Sequence, residues 1–350
     1  MNEQATTDIS EYLALVDKEI VHPEQFNYEV TREGIRHFAY AVNDHNALYL
    51  DEEYARGTSA GGIIAPPGYL YSHGQATWIR TLGNLRDSEG RVLSQNDNAG
   101  EEWEFFQPVR PGDFIILKGK ASGAITKQGR KTGHAAIVST ISTYTNQRNE
   151  LVARVVGHSF RFNPVTVIEN GGMAQSYPKL AEGQTTRDPS RPPGNEFFRE
   201  TPARRRDPQL YFEDVTEGMA IPTWDFGQFG TNVMSRWSGA TSSVGQWSPA
   251  GAQQGGVIPD TFAPGIMRTA WFGTMLTRWG GPNSWVRKLS YQNREWILAG
   301  YKPLSKGNVT GKFEEDGKHI VECEVWCEND LGNITNTGSA QLELPSRKQS

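Results

Sequence analysis

GGIIAPPGYLY at residues 61–71 and GGVIPDTFAPG at residues 255–265 are two versions of one phrase. Each has a Gly-Gly pair, an apolar run, and then Pro-Gly ahead of a helical apolar pattern. The agreement extends outward. Phe38 aligns with Trp237, Asp44 with Ser243 and Tyr49 with Ser248, all at an offset of 199. Self-similarity of this kind predicts one fold written twice. In each copy a short amphipathic helix comes first, over 31–42 and 231–240. A longer helix is then expected at Pro67-Gly68 and at Pro264-Gly265. Both prolines suit a first helical turn, where the missing N–H costs nothing. Tyr69, Leu70, His73, Ala76, Trp78 and Ile79 form a broad apolar stripe in the first copy. Ile266, Met267, Ala270, Trp271, Thr274, Met275 and Leu276 do the same in the second, and helices this apolar are usually buried.

Strand patterns follow each long helix. EWEFFQPVRPGDFIILKGKASGAI, GHAAIVSTISTYTNQ and LVARVVGHSFRF fill the first copy. The second has SWVRKLSYQNREWILAGYKPLSKGNVTGKF, HIVECEVWCENDLG and ITNTGSAQLELP. Turns at Pro111-Gly112-Asp113, Glu315-Asp316-Gly317 and 329–332 punctuate an antiparallel meander. The expected fold is α+β: a curved antiparallel sheet wrapped on one buried helix, twice. Residues 8–162 and 210–345 are the expected domains. Residues 163–209, rich in proline, glycine and charge, read as an irregular linker. Its Arg204, Arg205 and Arg206 read as a solvated charge run, with a phosphate contact as the alternative.

Composition excludes several classes. The chain has 350 residues and a net charge of −5, which argues against broad nucleic-acid or anionic-membrane binding. No apolar run approaches the roughly 18 residues of a membrane helix. The N-terminus is polar and acidic where a secretory signal is basic and then apolar. A soluble, cytoplasmic protein is therefore expected. Ten Trp, 12 Tyr and 15 Phe exclude a disordered chain, and Trp237, Trp247, Trp271, Trp279, Trp285 and Trp296 are compatible with a bulky acyl pocket. Cys323 and Cys327, if on one strand, face the same way about 13 Å apart, too far for a disulfide. Two thiols without a CxxC motif give no zinc site, and no metal or other cofactor is expected. Six of the seven histidines fall within the first 158 residues, and residues 159–318 contain none.

AVNDHNALYLDEEYA, GGIIAPPGYLY and EEWEFFQPVRPGD in the first half, with DVTEGMAIP, SRWSGATSS, GGVIPDTFAPG and GSAQLELP in the second, resemble the MaoC-like dehydratase/hydratase family in its double hotdog form. The first half resembles the family's FAS1-like N-terminal dehydratase domain. The resemblance implies a hydro-lyase that interconverts 2-enoyl and 3-hydroxyacyl thioesters of coenzyme A or acyl-carrier protein. It also implies a homodimer or larger assembly. The family's hydratase motif runs Gly-Asp-x-Asn-Pro-x-His. Its aspartate and histidine converge on one water or on the 3-hydroxyl, and divide the proton transfers between them. The enolate-like oxygen is met by N–H groups at the start of the buried helix.

Both halves depart from that motif. The first keeps Asp44 and Asn46 but has Tyr49 in the histidine's place. The second has Ser243 and Ser248 at the two positions. Asp44 is thus the candidate acid/base, against a plainer role capping the loop. Tyr49 and the adjacent His45 are candidate partners; Tyr49 would need its proton loosened, and the plainer reading makes it a buried filler. Asn46, Gly68, His73 and Gly265 are candidate substrate-binding residues. Gly68 and Gly265 would let a thioester approach the backbone closely. For His73 the plainer reading is a core histidine bonded to a carbonyl, and for Asp260 a turn or cap. Two other functions stand beside the hydratase: a catalytically silent hotdog subunit that pairs with an active partner, and a divergent hotdog enzyme such as a thioesterase or an unusual lyase.

Overall fold

The computed structural model describes residues 8–75, 85–87, 89–130, 132–171, 203–241 and 261–349. Seven helices are named in chain order: α1 (Ser10–Leu13), α2 (Arg32–Ala41), α3 (Ala47–Leu50), α4 (Glu52–Arg56), α5 (Pro164–Glu169), α6 (Thr231–Thr241) and α7 (Met267–Gly280). The strands are β1 (Ile20–Val21), β2 (Gln95–Phe105), β3 (Ile116–Gly129), β4 (Gly133–Thr145), β5 (Leu151–Phe162), β6 (Ala220–Asp225), β7 (Trp285–Asn293), β8 (Pro303–Glu315), β9 (Lys318–Asn329) and β10 (Ile334–Leu344).

Local chemistry accounts for these boundaries. Thr31 caps α2 by accepting from Gly34 N, and Asn43, at φ 53°, turns the chain out of it. Asp316 and Gly317 both take positive φ and close the β8–β9 hairpin at the pair Glu315↔Lys318. Cys323 and Cys327 lie on β9, and both are buried.

The strands form one ten-stranded antiparallel sheet ordered β1-β3-β4-β5-β2-β7-β10-β9-β8-β6. The expected pair of sheets is therefore continuous, joined where β2 meets β7 from Gly100↔Gln292 to Glu104↔Lys288. Gly100 makes that seam close. A Cβ there would overlap the carbonyl of Tyr291, and its φ of 150° favours glycine.

α7 lies in the core, buried on nearly every side. Arg268, also buried, pins its entry by donating to the carbonyls of Ala263 and Pro264, each at 3.0 Å, and to Asn336 Oδ1 at 2.9 Å. The first half differs from expectation. Its described counterpart is a short 3₁₀ turn, Tyr69–Ser72, while Ala76, Trp78 and Ile79 lie outside the described residues. Pro67 does not start this turn, because Gly68 intervenes in the left-handed region at φ 88°. Helices α2 and α6 pack together, and the aligned pair Phe38 and Trp237 meet there with ring centroids 5.7 Å apart. Among the described residues, no helix is long and apolar enough to cross a membrane.

Candidate active site

Asp44 sits in the loop between α2 and α3, with its carboxylate fully buried. Oδ1 takes the Arg205 guanidinium at 3.0 Å and the Asn46 N–H at 3.3 Å. Oδ2 accepts from the Thr274 hydroxyl of α7 at 3.1 Å. Asp44 is thus buried with both carboxylate oxygens engaged by protein donors. The reason is Arg205, from the segment expected to be an irregular linker. Its N–H donates to the His45 carbonyl at 2.7 Å, and its carbonyl accepts from Ala47 N at 2.7 Å. Segment and loop therefore bridge in parallel at Asn46 and Arg205. The Arg205 Nε also meets Asp207 at 2.8 Å. Burial pushes the guanidinium's pKa down, but Asp44 and Asp207 outweigh it, so Arg205 holds its proton more tightly than usual.

The arginine triplet is thus a solvated charge run at Arg204 and Arg206, which are both exposed, but not at Arg205. Arg204 and Arg206 pair with Asp51 at 3.6 and 3.2 Å, while Arg205 turns inward. Asn46 caps α3 by accepting from Leu48 N at 3.0 Å, a structural role where a substrate contact was expected. His45 turns its Nε2 to Asn43 Oδ1 at 3.1 Å. Its pKa is pushed down to about 4 by burial, and further by Arg205 and Arg236. The ring is therefore neutral at pH 7.

Tyr49 is placed differently. It is buried, yet it forms part of the wall of a cleft between the two halves. The cleft is narrow, with about 40 Å³ of cavity volume inside its walls. Leu48, Ile64, Phe105, Val109, Val152 and Val286 give it apolar walls. Tyr49, Gln107, Thr277 and Ser284 supply polar groups, and no carboxylate or imidazole lines it among the described residues. Burial, then the nearby Asp44, pushes the Tyr49 pKa well above the ordinary tyrosine value, with the Thr277 hydroxyl as its hydrogen-bond partner. Tyr49 therefore stays protonated at neutral pH and holds its proton more tightly than an ordinary tyrosine, so it can donate a hydrogen bond but is neither a ready acid nor a resident base.

Gly68 also lines the cleft, where a Cβ would press on the Ala270 backbone of α7 at 3.3 Å. It opens only a four-residue 3₁₀ turn, so the long-helix dipole expected behind it does not appear among the described residues. Gly265 is not part of this wall. It packs against Asn98 and Asn293, whose side chains a Cβ would overlap. His73 is buried behind the cleft wall, its ring 5.6 Å from that of Tyr69 and its Nδ1 2.8 Å from the Asn27 carbonyl. It is therefore a core histidine. Ser243, Ser248, Trp247 and Asp260 lie outside the described residues.

Sequence reasoning missed Arg205, Thr274 and Thr277. The two threonines stand three residues apart on α7, so both face the 44–49 loop of the other half. Their only signal was a hydroxyl repeat within an apolar helix. Glu101 was missed as well. Its buried Oε2 accepts from the hydroxyls of Tyr71, Tyr291 (2.7 Å) and Thr269 (3.3 Å) and from Trp103 Nε1 (2.8 Å), while Oε1 accepts from Asn98 at 3.1 Å.

Residues 18–155 match the family profile of the FAS1-like, dehydratase domain region. A probable enoyl-CoA hydratase alpha subunit from Thermomonospora curvata is 26% identical over 161 residues, which is 43% of this chain and 50% of that protein. A UPF0336 protein from Streptomyces griseus is 36% identical over 98 residues, 27% of this chain and 63% of its own length. The chain thus spans about half to two thirds of these relatives. Among solved structures, a MaoC-like dehydratase superposes with a TM-score of 0.67 at 16% identity, covering 95% of this chain and 99% of the other. A conserved hypothetical protein of Mycobacterium tuberculosis, described as a double hotdog fold, gives 0.61 at 10% identity, covering 94% and 96%. The fold is the double hotdog.

Proposed function

We propose that this chain, which belongs to the MaoC-like hotdog family, is an acyl-thioester hydratase or dehydratase that interconverts 2-enoyl and 3-hydroxyacyl groups. Residues 8–162 and 210–345 are its two hotdog domains, and 163–209 is the connection. The observation that carries this reading is the apolar cleft between the halves, with Tyr49 and Gly68 in its wall. A fatty or aromatic acyl group fits such walls, because burying apolar surface drives its entry. The Tyr49 hydroxyl holds its proton tightly, so its role is to donate a hydrogen bond to the substrate's 3-oxygen and orient it, not to give up the proton. Asp44 acts behind it as a positioning residue held by Arg205 and Thr274.

The test is hydration of crotonyl-CoA and longer 2-enoyl-CoAs by the full chain. Wild-type protein is expected to consume the enoyl thioester. Tyr49→Phe is expected to lower kcat by about a hundredfold, within the usual range for a lost hydrogen-bond donor to developing charge, with KM little changed. Equal turnover by Tyr49→Phe rejects the tyrosine's role.

A second reading, a catalytically silent subunit, is favoured by one feature. No carboxylate or imidazole lines the cleft among the described residues, so no group there takes the α-proton. Acyl-CoA binding without turnover, with turnover appearing only when a partner hotdog protein is added, supports that reading over the first.

A further inference from the structure

The connecting segment does more than join the halves. Its backbone bridges residues 45–47 through two 2.7 Å hydrogen bonds centred on Arg205. Its side chains grip the same loop on both flanks, Arg205 to the buried Asp44 and Arg204 and Arg206 to Asp51, which caps α4. The loop so held carries Tyr49 to the cleft wall. Thr274 ties Asp44 to α7 from the opposite side, so the carboxylate is clamped between connection and helix.

We propose that residues 203–207 act as a strap over the first-half loop, with Arg205 as the positioning residue that pins Asp44 and thereby holds Tyr49 in the cleft wall. The link from the strap to the cleft rests on the acyl-thioester reading above. Arginine suits the task chemically. Its guanidinium keeps its charge throughout the working pH range and engages Asp44 and Asp207 together through its fork of N–H groups. A histidine in that place would exchange protons with Asp44. An arginine supplies a fixed partner, so the strap trades proton transfer for position.

Amide hydrogen exchange on the full chain, together with octanoyl-CoA titration, tests the strap. In Arg205→Met, protection across residues 44–50 is expected to fall about tenfold or more, while β4 and β5 keep theirs. The octanoyl-CoA Kd is expected to rise about tenfold. Arg205→Lys is expected to restore most of both, because it keeps the charge. Wild-type protection across 44–50 in Arg205→Met overturns the proposal. Should Arg205→Met fail to fold, Arg205→Met with Asp44→Asn and Asp207→Asn removes all three charges of the cluster together. The same local loss of protection is expected there, and wild-type protection again overturns the strap. The two readings fail separately. If wild-type protein does not bind octanoyl-CoA but the exchange result is as expected, the cleft reading falls and the strap stands. If binding occurs but Arg205→Met changes neither readout, the strap falls and the cleft reading stands.

Discussion

His73 imposes a pH dependence on stability. Burial pushes its pKa down to about 4, while an unfolded histidine titrates near 6.5. The unfolded chain therefore binds the proton first as pH falls. The contribution is fully present above about pH 6.5 and is lost by about pH 4, amounting to about 3 kcal/mol at most. Urea midpoints between pH 7 and 4 are expected to fall, and to fall less in His73→Gln. An equal slope in both proteins contradicts this. His45 shifts in the same direction, but its half-buried ring is partly screened and contributes less. At this scale the sequence was legible only where a side chain's role is local. His73 as a carbonyl-bonded core residue follows from residue type and neighbours, whereas Asn46, read as a substrate contact, is a loop cap. The role of Asp44 does not follow from them, because its decisive partner stands 161 residues away.

Between elements, the seam of β2 and β7 depends on one buried carboxylate. Glu101 collects donors from Tyr71 and Trp103 in the first half and from Thr269 and Tyr291 in the second. Removing the acceptor strands several buried donors, each costing about 1–3 kcal/mol. Glu101→Leu is expected to destabilise the protein by about 4 kcal/mol in chemical denaturation, while Glu102→Leu on the exposed face changes little. Comparable losses at both positions contradict this.

The long strands were legible from alternation and turns. LVARVVGHSFRF is β5 from end to end, and the Asp316-Gly317 turn lies where the sequence put it. Two-residue β1 and six-residue β6, at the sheet edges, were missed because they are too short to show a period. The single continuous sheet was also hidden. Pairing between β2 and β7 depends on register across 190 residues, and a local pattern carries no such information.

For the whole molecule, the duplicated Gly-Gly and Pro-Gly phrases announced a doubled fold, and the double hotdog follows them. Histidine placement pointed to an atypical site, and the geometry gives that a physical form. Asp44 is withdrawn into an ion pair, and Tyr49 faces an apolar cleft. The linker was the least legible part, since charge and proline content describe a connector without saying where it docks. The central claim is that this cleft receives the acyl group of a thioester. Photolabelling with a diazirine-bearing acyl-CoA, mapped by peptide mass spectrometry, tests it most directly. Labels on residues 61–71, 105–109 and 281–286, competed away by octanoyl-CoA, are the predicted result. Labelling confined to other segments, or unaffected by the competitor, contradicts it.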